Sequence, residues 1–155
     1  MANTTFSGPV ISKNGFIGFG PGMSLNINST GLGAQGLNLT VNDHAGRLLI
    51  SQDADGIYTL PSINVNANGE SAGSTDYNNL NNIGASFYFY IDTTATDVQI
   101  QTDGVDKFTG AAMIAVNDGS KKAFVPGGTN DVLSMNGTTT GGIIGSVIKI
   151  TALEN

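Results

Sequence analysis

Apolar and polar positions alternate with a period of two along most of this chain, the mark of strands with one face buried. Leu25 and Ile27 alternate with Asn26 and Asn28, and Leu37, Leu39 and Val41 with Asn38, Thr40 and Asn42. Val98 and Ile100 alternate with Gln99 and Gln101, and Ile148 and Ile150 with Val147, Lys149 and Thr151. Phe87, Phe89 and Ile91 alternate with Tyr88, Tyr90 and Asp92. Aromatic groups on both faces predict a strand with core on one side and a neighbour on the other. Residues 57–60 and 63–65 predict two shorter strands separated by Pro61, which donates no ladder hydrogen bond and belongs at an edge or a strand end. Helical periodicity is almost absent, and glycines interrupt nearly every window long enough for a helix.

The breaks between strands are well marked. Asn14-Gly15, Asn68-Gly69 and Asn136-Gly137 are hairpin signals, because both residues tolerate positive φ. Asn136-Gly137 lies between 132–135 and 138–140 and predicts a hairpin there. Asp55-Gly56, Asp103-Gly104 and Asp118-Gly119 read similarly. Residues 66–82 are rich in Asn, Ser and Gly, with Tyr77 and Leu80 as their only sizeable apolar groups, and predict a long loop of the functional or mobile kind.

The expected fold is all-β: one antiparallel β-sandwich or β-barrel domain over 23–155, preceded by an extended N-terminal arm over 1–22. In the arm, Phe6, Val10, Phe16, Ile17 and Phe19 sit among glycines without a long apolar run. They suit either a contact with a neighbouring molecule or completion of the domain's own core.

Composition narrows the function. Hydrophobic residues make up 39% and charged residues 12% of the 155 positions, a balance that favours folding over disorder. The net charge of −6 and six scattered Lys and Arg residues supply no basic footprint for nucleic acid or for an anionic membrane. No apolar run approaches the roughly 20 residues of a membrane helix. The first twenty residues lack the basic-then-apolar plan of a secretory signal. The absence of cysteine removes disulfides and thiolate metal sites and fits assembly in a reducing cytoplasm.

Candidate chemistry is sparse. His44, the only histidine, sits in Asn42-Asp43-His44-Ala45-Gly46 and reads as an exposed turn residue rather than a catalytic base. Asp53-Ala54-Asp55-Gly56 begins like a calcium loop, but Ile57, Tyr58, Thr59 and Leu60 follow where oxygen ligands are needed, so a tight turn is expected. The glycines at 18–22 and 141–142 lack the Lys-Ser/Thr of a phosphate loop. Asn-x-Ser/Thr triplets at Asn3, Asn28, Asn38 and Asn136 are expected by chance in so Asn- and Thr-rich a chain. Tyr58, Tyr77, Tyr88 and Tyr90 are candidates for stacking on sugars, with core or interface packing as the plainer role. No catalytic residue, cofactor or metal is assigned, and the chain is read as a non-enzyme.

Three stretches resemble small β-rich structural proteins of tailed bacteriophages, the capsid decoration (cement) and virion structural proteins. The first is Thr5-Phe6-Ser7-Gly8-Pro9-Val10 followed by Asn14-Gly15-Phe16. The second runs from Gly56-Ile57-Tyr58-Thr59-Leu60-Pro61 through Ile83-Gly84-Ala85-Ser86-Phe87-Tyr88-Phe89 to Thr102-Asp103-Gly104-Val105-Asp106-Lys107-Phe108-Thr109-Gly110. The third is Asn136-Gly137-Thr138-Thr139-Thr140-Gly141-Gly142, then Gly145-Ser146-Val147-Ile148. The resemblance implies a protein on the outer capsid surface of the virion that stabilises capsomer contacts. Its partners would be the major capsid protein and further copies of itself in a homotrimer. Phe6, Val10, Phe16, Ile17 and Phe19 are the candidate capsid or subunit contacts. The alternative is a tail- or fibre-associated adhesin module that binds a host surface glycan through the 66–82 loop and exposed tyrosines. A glycan depolymerase would need paired carboxylates in one cleft.

Overall fold

A computed structural model describes residues 23–33, 36–63, 82–115 and 121–153. The expected arm, the interface residues Phe6, Val10, Phe16, Ile17 and Phe19, and nearly all of the 66–82 loop lie outside the described residues.

The chain is all-β, with ten strands and one four-residue helix among the described residues. The strands are β1 (Ser24–Ile27), β2 (Leu37–Asn38), β3 (Leu48–Ser51), β4 (Ile57–Thr59), β5 (Ser86–Ile91), β6 (Val98–Gln101), β7 (Ala112–Ala115), β8 (Lys121–Phe124), β9 (Val132–Met135) and β10 (Val147–Thr151). Sheet A has the order β1-β3-β5-β10, sheet B the order β2-β4-β6-β9, and β7 and β8 form a separate ribbon.

From β1 to β6 the chain changes sheet at every step, so strands that follow one another in sequence are never paired. Each return to a sheet adds a parallel neighbour: β1 to β3, β3 to β5, β2 to β4 and β4 to β6. The crossover that a parallel pair requires is here a strand of the opposite sheet rather than a helix. Only β9 on β6, β10 on β5 and β7 on β8 are antiparallel. The expected antiparallel architecture is corrected to two mixed sheets. Period-two alternation shows which side chains turn inward but is silent on strand direction, so it could not separate the two.

The register explains the core. Leu25, Leu49, Phe89 and Ile148 form one row across sheet A, and Leu37, Tyr58, Ile100 and Leu133 a row across sheet B. These side chains belong to one hydrophobic cluster, with Leu49, Tyr58, Phe89, Ile91, Val98 and Ile100 fully buried. The Tyr58 and Phe89 rings meet across the sheets at 6.0 Å between centroids, tilted by 38°, within the range of favourable aromatic pairs.

Local chemistry redirects two expected strands. The strand expected over 37–41 stops at Asn38, and Thr40 caps the short helix α1 (Val41–His44) by accepting the Asp43 amide on its hydroxyl at 3.2 Å. Gly36, just before β2, has φ of +57°, and a Cβ there would run into the Ile57 backbone, so only glycine lets β2 approach β4 this closely. The expected hairpin at Asn136-Gly137 does not form. Instead the Asn136 Oδ1 accepts the amides of Thr138, Thr139 and Thr140 at 2.9–3.1 Å, folding 136–142 into a compact loop. That loop is pinned to the core by the Ala95 amide, which donates to the Gly142 carbonyl at 2.8 Å. β7 and β8 are antiparallel neighbours, and the expected turn at Asp118-Gly119 between them lies outside the described residues.

Candidate interaction surfaces

The most developed polar arrangement joins the two sheets at the end of β1. Asp53 is 8% exposed and its carboxylate collects the Ser29 amide at 2.8 Å, the Ser29 hydroxyl at 3.2 Å and the Thr30 hydroxyl at 2.9 Å. The same Ser29 hydroxyl accepts the Ile57 amide of β4 at 2.8 Å. Burial raises the Asp53 pKa, but the hydrogen bonds from Ser29 and Thr30 outweigh it and hold the carboxyl below its ordinary range. The expected turn at 53–56 is present, yet its first residue is an internal anchor rather than a solvated side chain.

Tyr58 has no exposed surface and leaves the set of sugar-stacking candidates. Its hydroxyl lies 2.7 Å from that of Ser51, which is also fully buried. Burial pushes the Tyr58 phenol up to about 12, with the Asp53 charge adding to the rise and the Ser51 hydrogen bond opposing it. A phenol held neutral and a carboxylate held charged, each with its partners met, form a structural clasp.

His44 ends α1 and its Nδ1 accepts the Thr40 amide at 2.9 Å. That lone pair is occupied by local capping, as suits a turn histidine. Among the described residues no group of three or more His, Cys, Asp and Glu side chains is placed to hold a metal ion.

The outer faces of the sheets differ. On sheet B, the outward rows read Asn38, Thr59, Gln101, Val132 and Ile57, Gln99, Ser134. Their polar groups satisfy one another: the Gln101 Nε2 donates to the Thr59 hydroxyl at 2.8 Å, and Asp97 accepts from Gln99 at 3.0 Å and Ser134 at 3.2 Å. On sheet A, the outward rows read Ser24, Leu48, Tyr88, Lys149 and Asn26, Ile50, Tyr90, Val147. Leu48, Ile50, Tyr88, Tyr90 and Val147 make this face largely apolar, and the Lys149 ammonium stands 5.4 Å from the centre of the Tyr88 ring.

Where the sheets end at β9 and β10, the core opens into a groove of about 1240 Å³. Its floor includes Leu60, Phe87, Leu133, Ile148 and Ile150, and its rim carries Met113 and Phe124 from the β7–β8 ribbon, Val147 of β10, and Ile144 and Leu153 on either side of that strand. Sequence reading missed this groove, because β7 and β8 show no sustained alternation and Ile143-Ile144 reads as ordinary core. Two adjacent isoleucines flanked by glycines were the available signal.

Compared with protein-family models, with curated proteins and with solved structures, the chain matches none.

Proposed function

We propose that this chain is a structural protein that works by docking on other protein surfaces, and that it decorates the outside of a bacteriophage head. The observation that carries the reading is the placement of its exposed apolar groups. Most of them line the β9–β10 groove, Leu48 and Val147 stand on the outer face of sheet A, and Met23, Leu32 and Val105 lie apart, whereas the polar groups of greatest burial are spent internally on the Asp53 and Tyr58 contacts. Contiguous apolar surface of this kind marks macromolecular contact. The phage assignment rests on the sequence resemblance, with the major capsid protein as partner and Phe6, Val10, Phe16, Ile17 and Phe19 as candidate contacts. The two mixed sheets are read as a sandwich, since in the strand order β9 and β10 each end a separate sheet rather than closing one barrel.

Cryo-electron microscopy of intact particles that contain the chain tests this. Density for the ten-strand fold on the outer shell at capsomer junctions supports decoration. Density confined to a tail or fibre rejects it and favours the glycan-binding alternative, for which the neighbouring Tyr88 and Tyr90 on sheet A are the described stacking residues.

A further inference from the structure

We infer that Asn136-Gly137 is a latent self-modification site: the folded 136–142 loop keeps it intact, and opening of the loop commits the asparagine irreversibly to aspartate and isoaspartate. Of the three Asn-Gly pairs in the sequence, it alone lies among the described residues. The fold demands both of its members. The Asn136 Oδ1 organises the loop, accepting the amides of Thr138, Thr139 and Thr140 at 2.9–3.1 Å and the Thr138 hydroxyl at 3.2 Å. Gly137 is buried with φ of +71°, and a Cβ there would run into the Ala95 carbonyl and the Thr94 side chain. An asparagine followed by glycine is also the pair most prone to deamidation, because no side chain shields the glycine nitrogen from the asparagine carbonyl carbon.

In that reaction the Gly137 nitrogen gives its proton to solvent base and attacks Cγ of Asn136. A C–N bond forms, the Cγ–Nδ2 bond breaks, and the amide nitrogen leaves as ammonia with a proton from water. Water then opens the cyclic imide at either carbonyl, giving aspartate or isoaspartate, and nothing is oxidised or reduced. The loop treats the two reacting groups oppositely. Four donors on Oδ1 polarise Cγ and would stabilise an oxyanion there, which favours attack. The nucleophile is withheld, since the buried Gly137 amide donates to the Gly141 carbonyl at 2.7 Å. The leaving group is tied as well, Nδ2 donating to the Thr139 hydroxyl at 2.9 Å. Reaction therefore waits on local opening, and its rate is the open-state rate multiplied by the fraction of time the loop is open. Isoaspartate routes the main chain through the former side chain, so the donor cluster on Oδ1 cannot reform. The site records time spent open, and its chemistry needs water alone and no docking partner.

Peptide mass spectrometry after incubation in warm, mildly alkaline buffer follows the conversion of Asn136, with and without guanidinium chloride. Conversion of the folded chain is expected to be slower than that of the denatured chain by roughly tenfold or more. Thr139→Val frees Nδ2 and should speed folded-state conversion about fivefold, the worth of one hydrogen bond, with the denatured rate unchanged. Gly142→Ala sets a Cβ against Met135 and Ala95, beside the Gly141 carbonyl, and should speed it roughly tenfold or more. Thr139 is exposed, so its variant decides the matter should Gly142→Ala fail to fold, which circular dichroism shows. Thr40→Ala uncaps α1 and weakens the fold elsewhere by a similar amount, and should leave the folded-state rate unchanged. Folded-state conversion as fast as the denatured rate overturns the inference. So does a rate that Thr139→Val leaves unchanged, or one that Thr40→Ala raises equally.

Discussion

The outer faces of sheets A and B are built on the same frame and treated oppositely. Both sheets are four strands wide, both run parallel up to an antiparallel last strand, and both send alternate side chains into one core. Sheet B then finishes its outer face with Gln99, Gln101, Thr59 and Ser134 bonded among themselves and to Asp97, whereas sheet A finishes with Leu48, Ile50, Tyr88, Tyr90 and Val147. A face whose polar groups already satisfy one another has little to offer a partner, since docking would have to break those bonds or bury them. The face of sheet A carries fewer such bonds: its centre is Leu48, Ile50 and the Tyr88 and Tyr90 rings, with the charge of Lys149 and the polar Ser24 and Asn26 towards its edges. On the proposed docking role, sheet A and the adjoining groove are the better candidates for contact, and the outer face of sheet B is the more polar of the two.

The comparison requires that the inner face of β5 be core and its outer face be surface, and substitutions within this one strand test that. Phe89 is fully buried and touches Tyr58, so Phe89→Ala should destabilise the chain by about 3–5 kcal/mol. Tyr88, one residue away on the opposite face, should cost far less when changed to Ala. Urea unfolding midpoints of the two variants measure the contrast. Equal losses would make the outer face of sheet A a second core and remove the distinction.

What joins the sheets should matter next. Asp53→Ala strands the Ser29 amide and the Thr30 hydroxyl, at a cost of about 1–3 kcal/mol in unfolding free energy. The pH dependence has a definite sign. The folded-state pKa of Asp53 lies below its ordinary value of 3.8, so the unfolded chain binds the proton more readily. The stabilisation is therefore complete above about pH 5 and is lost as pH falls through the folded-state pKa. Asp103, through the Ser62 hydroxyl, and Asp131, through Lys107, are lowered too and add to the acid limb. The Asp53 share is the difference between wild-type and Asp53→Asn stability curves between pH 7 and 3. A difference that stays constant with pH would mean the carboxylate is not held charged by these bonds.

Much of this contrast was legible before folding. Val-Gln-Ile-Gln at 98–101 already states one wet face, and Phe-Tyr-Phe-Tyr-Ile at 87–91 already states two dry ones. Strand positions followed from alternation at 24–27, 98–101 and 147–151, whereas the alternation over 37–41 gave only the two residues of β2 before the Thr40 cap. Direction and partner did not, because parallel and antiparallel ladders impose the same alternation. The turn residues misled where a side chain outbid the backbone: Asn136 spends its carbonyl on three amides and makes a loop where Asn-Gly promised a hairpin. Asp53 was read as turn chemistry because its three donors come from Ser29 and Thr30, more than twenty positions away. The groove was invisible for a related reason: it is a property of which strands end each sheet, and only the topology shows that β9 and β10 end theirs side by side around one opening.

The smallest expected effect is the most discriminating one. Tyr90 pairs with Val147 on the outside of sheet A, and Gln101 pairs with Thr59 and Val132 on the outside of sheet B. Cross-strand pairs contribute roughly 0.2–1 kcal/mol each, so Tyr90→Thr and Gln101→Thr should both lower the unfolding free energy by no more than about that much. Threonine keeps the strand propensity and removes only what each face specialises in. The two variants should then part company in a second measurement. Binding of an environment-sensitive apolar dye reports accessible apolar surface, and Tyr90→Thr should reduce it while Gln101→Thr leaves it unchanged. If both variants bind dye as the wild type does, the apolar groups of sheet A are not available as a surface, and recognition must be sought in the groove alone.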